Sequence, residues 1–162
     1  MKKREIKTII HEFDSVNDLD PKDRELAGRA REAAEKAYAP YSCFKVGASV
    51  LLEDGSFFDG NNQENAAYPS GVCAERVALS FASANHPHLR IETIAIAALS
   101  GDVLTNEPVP PCGFCRQVMI ETELKQASPL RVILLGKDKV QLIENSRQLL
   151  PLYFDGSIFS SS

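Results

Sequence analysis

Apolar and polar positions recur with two different periods along this chain, and each change of period marks an element. After Asp20-Pro21, the residues Leu26, Ala30, Ala33, Ala34 and Ala37 fall at helical spacing, a face of mostly small residues suited to close packing. Asp20 suits the N-cap, Pro21 the first turn and Asp23 the positive end of that helix, and Pro40 closes the stretch. Residues 43–52 and 57–60 read as strands around Glu53-Asp54-Gly55-Ser56, a turn of hairpin type. Cys73 to about Asn85 reads as helix, 91–99 as a buried strand, and Cys112 to about Gln126 as a further helix. Residues 130–135 and 140–143 are short apolar strands, 5–13 a short strand of poor alternation, and Ser160-Ser161-Ser162 a frayed end.

Helix, two strands, helix, strand, helix, strand is the order of an α/β domain with helices layered around one sheet. Only Gly136 to Lys139 separates the last two strands. A parallel crossover needs roughly a dozen residues, so these strands should form an antiparallel hairpin. A chain of 162 residues suits a single domain, read as 20–159 with an N-terminal extension over 1–19.

Composition excludes more than it selects. With 25% charged and 44% hydrophobic residues the chain is neither disordered nor fibrous. A net charge of −4, with no basic run longer than Lys2-Lys3-Arg4, argues against a nucleic-acid partner. Glu5 to Glu12 contains no apolar stretch of signal-peptide length, and no segment approaches the roughly 18 apolar residues of a membrane span. Four cysteines, two of them in a Cys-x-x-Cys pair, fit a metal in a reducing compartment, and the expected location is cytoplasmic.

The chemistry concentrates in Cys73-Ala74-Glu75-Arg76 and Pro110-Pro111-Cys112-Gly113-Phe114-Cys115. Structural zinc takes four protein ligands, whereas catalytic zinc takes three and keeps a place for water. Cys73 and Cys112 each stand at a predicted helix N-terminus, where the dipole favours thiolate, and Cys115 falls on the same side of its first turn. Three thiolates on Zn²⁺ leave one net negative charge, which Arg76 would offset by hydrogen bonding to sulfur. Glu75 is placed to move protons, as the non-ligand Glu does in zinc deaminases. Three blander readings stand beside this one. Cys43, His11, His86 or His88 would complete a closed structural site; Cys112 and Cys115 would be a redox pair; Glu75 would be an ordinary first-turn acid.

With these motifs placed, the chain resembles the homotetrameric-type cytidine deaminases. The similarity also covers Tyr38-Ala39-Pro40-Tyr41-Ser42, Phe44 to Ala48, Gly60 to Tyr68, Arg116-Gln117 and Leu149-Leu150-Pro151. It implies a three-layer α/β/α fold with a mixed five-stranded sheet whose last two strands are antiparallel. It further implies one Zn²⁺ per chain on Cys73, Cys112 and Cys115, with Glu75 as general acid and base. Asn62 and Glu64 would bind the ribose hydroxyls, Phe44 would stack beside the pyrimidine, and Ala74 would offer backbone groups to the base. Arg76 and Gln117 would lie around the thiolates. The implied reaction is hydrolytic deamination of cytidine and 2′-deoxycytidine in pyrimidine salvage, by a homotetramer with no nucleic-acid or membrane partner. Read from sequence alone, Asn61-Asn62 is equally a turn and Phe44 equally core.

Two features depart from or extend the resemblance. The extension before Asp20 is longer than in compact relatives. The apolar end (Leu149, Leu150, Pro151, Leu152, Tyr153, Phe154, Ile158, Phe159) is expected to close a neighbouring subunit's site, the alternative being that it packs on its own subunit. Rival functions are a deaminase for a modified cytosine nucleoside, which would lack the Asn62 to Ala66 signature, and a catalytically silent zinc scaffold.

Overall fold

Asp20 begins the first helix as its residue type suggests: the carboxylate accepts from the N–H groups of Lys22 and Asp23, both at 3.0 Å. The computed structural model describes residues 1–159, so the expected fraying of Ser160 to Ser162 lies outside the described residues. In order the chain forms β1 (His11–Phe13), α1 (Pro21–Glu35), β2 (Phe44–Leu52), β3 (Phe57–Asn61) and α2 (Ala74–Asn85). Then follow β4 (Ile91–Ser100), β5 (Val103–Leu104), α3 (Gly113–Gln126), β6 (Arg131–Leu135) and β7 (Val140–Ile143). Short 3-10 turns occupy 16–18, 68–70, 146–149 and 156–159.

The strands make one mixed sheet in the order β1-β7-β6-β4-β2-β3, with β5 paired to the end of β4. The parallel pair is β4 with β6, joined through α3, and β6 and β7 form the expected antiparallel hairpin. The described sheet has seven strands, not the five expected. Two short additions account for the difference. β1 runs antiparallel along β7, His11 opposite Leu142 and Phe13 opposite Val140, and so covers an edge that would otherwise present unpaired N–H and C=O groups. β5 folds back on β4 through Gly101 and Asp102, both at positive φ.

Helix α1 also stops earlier than Pro40. After Glu35 the backbone tightens, Lys36 N–H meeting the Ala33 carbonyl, and Tyr38 leaves to pair with the segment after β3. Tyr38 N–H donates to Asn62 O at 3.1 Å, and Glu64 N–H donates to Tyr38 O at 2.8 Å.

Alternation in the central strands sorts the core into two layers. Ile94, Ile96, Val132 and Leu134 pack with Ala78, Leu79 and Met119 of α2 and α3. Ala95, Ala97, Ile133 and Leu135 pack with Leu26, Ala27 and Ala30 of α1. Alanines on β4 facing alanines on α1 let that helix lie close. At Gly47 a Cβ would fall 2.0 Å from the Ala30 carbonyl oxygen. The other face has its own close approach at Gly60, where a Cβ would come within 2.6 Å of Ala78 N and 2.7 Å of Ala74 O. Both atoms are α2 backbone, so Gly60 sets the height of the helix that starts at Cys73.

Gly60→Ala should therefore push α2 off the sheet and destabilise the protein by about 1–3 kcal/mol in chemical denaturation. Gly28→Ala, in the α1 interior where a Cβ meets nothing within 4 Å, should instead stabilise it by about 0.5–1 kcal/mol.

Candidate active site

Both helices that carry cysteines start at the same end of the sheet. β2 is antiparallel to both β3 and β4, so β3 and β4 run in the same direction, and the chain leaves each towards a helix N-terminus at that end. Cys73 is the N-cap residue of α2 (φ −77, ψ 152) and Cys112 that of α3 (φ −66, ψ 164). Neither thiol caps its own helix, so both are free to face the space between the helix ends. Cys115, fully buried in the first turn of α3, joins them, and the three sulfurs lie within 4.8 Å of one another. Among the described residues no histidine and no Cys43 belongs to this cluster.

The donor set fits a metal ion. Thiols between two positive helix ends are biased towards thiolate, and Cys73 and Cys115 are unequal in this respect. A hydrogen bond from Cys115 lowers the Cys73 thiol to about 6, whereas making that bond, together with burial, pushes the Cys115 thiol far up. Soft sulfur ligands in this number select zinc and leave a coordination place open.

Beside the cysteines lies a cavity of about 620 Å³. Glu75, in the first turn of α2 and 4% exposed, lines it and makes no hydrogen bond or ion pair with another described residue. A buried carboxylate without a protein partner is costly, and a group of this kind is available to a ligand. Ala74, fully buried, brings the start of α2 into the same wall. Val46 and Ile96 provide apolar lining, as do Val109 and Pro110 from the loop before Cys112. Tyr41 and Tyr68 meet edge to face, ring centroids 6.1 Å apart, and also line it.

A further part of the wall comes from the segment after β3. Gln63 and Val72 exchange two backbone hydrogen bonds (2.9 and 3.0 Å), which fastens residues 62–64 directly to the approach to Cys73. Glu64 accepts from the backbone N–H of Tyr41 (2.9 Å) and from both the hydroxyl and N–H of Ser42. The Ser42 hydroxyl, then the Tyr41 N–H, hold its carboxyl below the usual carboxylate range, so it is charged at neutral pH. Asn62 accepts from Val46 N–H (2.7 Å) and donates to the Phe44 carbonyl (3.0 Å), leaving one amide N–H and one lone pair unused by the protein. Phe44 is half-buried at the cavity wall and follows Cys43, whose φ is +55.

Every residue assigned to substrate binding from the sequence thus lines one cavity. The other two candidates take different partners. Arg76 makes no hydrogen bond to sulfur; its guanidinium lies 4.6 Å from the centroid of the Phe114 ring, and its charge acts on Cys73 through space. Gln117 donates to the Phe154 carbonyl at 2.8 Å, holding the C-terminal segment. Ser42 was not singled out by sequence. It takes the Phe44 N–H on the same oxygen that donates to Glu64, and a serine between Tyr41 and Cys43 carries no pattern that announces this.

A mixed sheet presenting three thiols and a buried acid at the mouths of two helices defines a zinc-binding enzyme of the deaminase class. Sequence comparison agrees. The cytidine and deoxycytidylate deaminase zinc-binding region matches residues 20–129. A cytidine deaminase of Halalkalibacterium halodurans is 49% identical over 96 residues, 59% of this chain and 68% of that protein. One from Mycobacterium tuberculosis is 39% identical over 114 residues, covering 68% and 81%. Among solved structures, the cytidine deaminase of Burkholderia pseudomallei superposes with a TM-score of 0.67 at 43% identity, covering 80% of this chain and 97% of that one. The Mycobacterium tuberculosis enzyme gives 0.63 at 31%, covering 85% and 99%. The chain belongs to the cytidine deaminase family.

Cys112→Ala should lose zinc or hold it weakly, and its Tm should fall, because metal binding contributes folding energy. Metal analysis and thermal unfolding of the purified variant check this; full zinc with unchanged Tm would remove Cys112 from the ligand set.

Proposed function

We propose that the chain is a zinc-dependent cytidine deaminase, converting cytidine and 2′-deoxycytidine to the corresponding uridine and ammonia in pyrimidine salvage. The observation that carries this is the meeting, in one cavity, of three thiols, the unpartnered Glu75 carboxylate and the pre-oriented Glu64 carboxylate. The lining also favours a nucleoside over a nucleotide: it contains Glu64 and Glu75 but no Lys, Arg or His to receive a phosphate.

Cys73, Cys112 and Cys115 hold one zinc per chain, which supplies a Lewis acid that makes water nucleophilic near neutral pH. Glu75 takes a proton from the attacking water and delivers it to ring N3 as the oxygen bonds to C4. It then carries the second proton to the departing amino group, so water and cytidine leave as uridine and ammonia. Because Glu75 has no internal partner, each transfer begins without breaking a protein hydrogen bond. Glu64 and Asn62 hold the ribose hydroxyls with the acceptor and donor positions the protein leaves free, Phe44 stacks beside the pyrimidine, and Ala74 offers backbone groups to the base. Arg76 tempers the negative charge of the thiolates, and Gln117 supports the C-terminal segment near them.

The enzyme is further proposed to be a cytoplasmic homotetramer whose C-terminal segment closes a neighbour's site, with no nucleic-acid or membrane partner. Support comes from Leu152, Phe154 and Phe159, which are 85%, 60% and 70% exposed, a concentration of large apolar side chains that a separate subunit leaves uncovered. No described helix is long and apolar enough to cross a membrane.

Glu75→Gln should keep one zinc per chain while kcat in a cytidine absorbance assay falls by about 10²–10⁴-fold or more, since the same group serves two proton transfers. Loss of the metal, or activity close to wild type, would take Glu75 out of this role. Truncation after Pro151 should lower activity and shift the oligomer in light scattering while zinc stays bound. A monomer that is fully active at assay concentration, before or after truncation, would sink the quaternary proposal.

A further inference from the structure

One charged side chain beside the cysteines has no part in the chemistry above. Arg116 is half-buried in the first turn of α3 and pairs with no carboxylate among the described residues. Its backbone N–H donates to the Cys112 carbonyl at 3.0 Å, and its Nε donates to the Pro111 carbonyl at 2.7 Å. One residue therefore grips the two successive carbonyls that bracket Cys112. The remaining side-chain bond runs from Nη1 to the Leu149 carbonyl, also 2.7 Å, in the 146–149 turn.

The loop needs this grip from outside. Pro110 and Pro111 have no N–H with which to tie themselves down, and Gly113 on the other side of Cys112 is permissive. The far end of the strut is firmly anchored. Glu123, buried two turns further along α3, accepts from Ser146 N–H (2.9 Å), Ser146 Oγ (2.8 Å) and Arg147 Nε (2.8 Å). From the N-terminal extension, the Thr8 hydroxyl donates to the Gln148 carbonyl and Ile9 N–H to its side-chain oxygen, each at 2.7 Å.

We propose that Arg116 is a positioning residue that locks Cys112, and with it the cavity wall at Val109 and Pro110, by tying the metal-binding loop to the 146–149 turn. This role presupposes that Cys73, Cys112 and Cys115 hold zinc, as proposed above. A guanidinium whose side-chain bonds both end on main-chain carbonyls fixes geometry, and here the fixed element carries a ligand. The strut governs how long Cys112 keeps its metal.

The test follows transfer of zinc from the purified holoenzyme to a chromogenic chelator. Arg116→Gln should release zinc about 10- to 100-fold faster than wild type, the usual cost of losing a partner that orients a ligand. Arg116→Lys, able to reach one carbonyl but not both, should fall between. Asp23→Asn weakens the Asp23–Arg131 pair on the α1 side of the sheet and serves as a destabilised comparison that should release zinc at the wild-type rate. Release from Arg116→Gln at the wild-type rate overturns the proposal. So does equally fast release from Asp23→Asn, because lost stability alone would then account for it. If Arg116→Gln does not fold, the rate for Arg116→Lys decides: unchanged release overturns the strut. A wild-type chain that takes up no zinc overturns both the ligand assignment and this one.

Discussion

Everything at the site depends on two helices beginning side by side at one end of the sheet. A helix start offers unsatisfied N–H groups and the positive end of a dipole, typically about 0.3–1 kcal/mol for a nearby anion and more where water is excluded. Here two such starts face each other, and the residues at their caps are Cys73 and Cys112, so sulfur sits where negative charge is most welcome. The approach of the helices is set by backbone contacts. Gly60 admits α2 to a distance that a methyl group would forbid, and α3 descends from the parallel β4–β6 crossover. Moving either helix by an ångström would open the cluster.

The substrate side is joined to the metal side by main chain. The Gln63–Val72 pair ties the 62–64 segment to the residue before Cys73, and the Tyr38 backbone draws the same segment against the end of α1. Ser42 then links two side chains of different task, receiving the Phe44 N–H while donating to Glu64. Orientation of the Phe44 ring and of the Glu64 carboxylate is thus shared through one hydroxyl. Such coupling makes the cavity preorganised, which lowers the cost of binding and of reaching the transition state.

The charge of the cavity lining is one-sided. Glu64, kept ionised by its donors, lines the same cavity as Cys73 and Cys112, and no basic side chain among the described residues lines it to balance that charge. A phosphate entering here would lose its hydration and gain no counter-charge. Arg76, whose charge favours the Cys73 thiolate, lies over the Phe114 ring.

Much of this was legible in the sequence because it is local. Asp20-Pro21 marked a helix start, four residues between 135 and 140 required an antiparallel hairpin, and the spacing of Cys112 and Cys115 placed two sulfurs on one side of a turn. Apolar runs marked 91–99 as a buried strand and 130–135 as an apolar one, which are β4 and β6. What the sequence could not express are contacts that end on backbone atoms far along the chain. β1 is three residues of mixed polarity, and it becomes a strand because β7 has an edge to fill. Asn62 reads as a turn residue but secures the Phe44 and Val46 backbone, and Arg116 reads as a helix residue but clasps carbonyls at 111 and 149. A carbonyl has the same chemistry at every position, so no residue type advertises it as a partner. The sequence by itself marked the candidate ligands, the candidate acid and the order of the longer helices and strands; only the tertiary structure decided which main-chain groups would hold them in place.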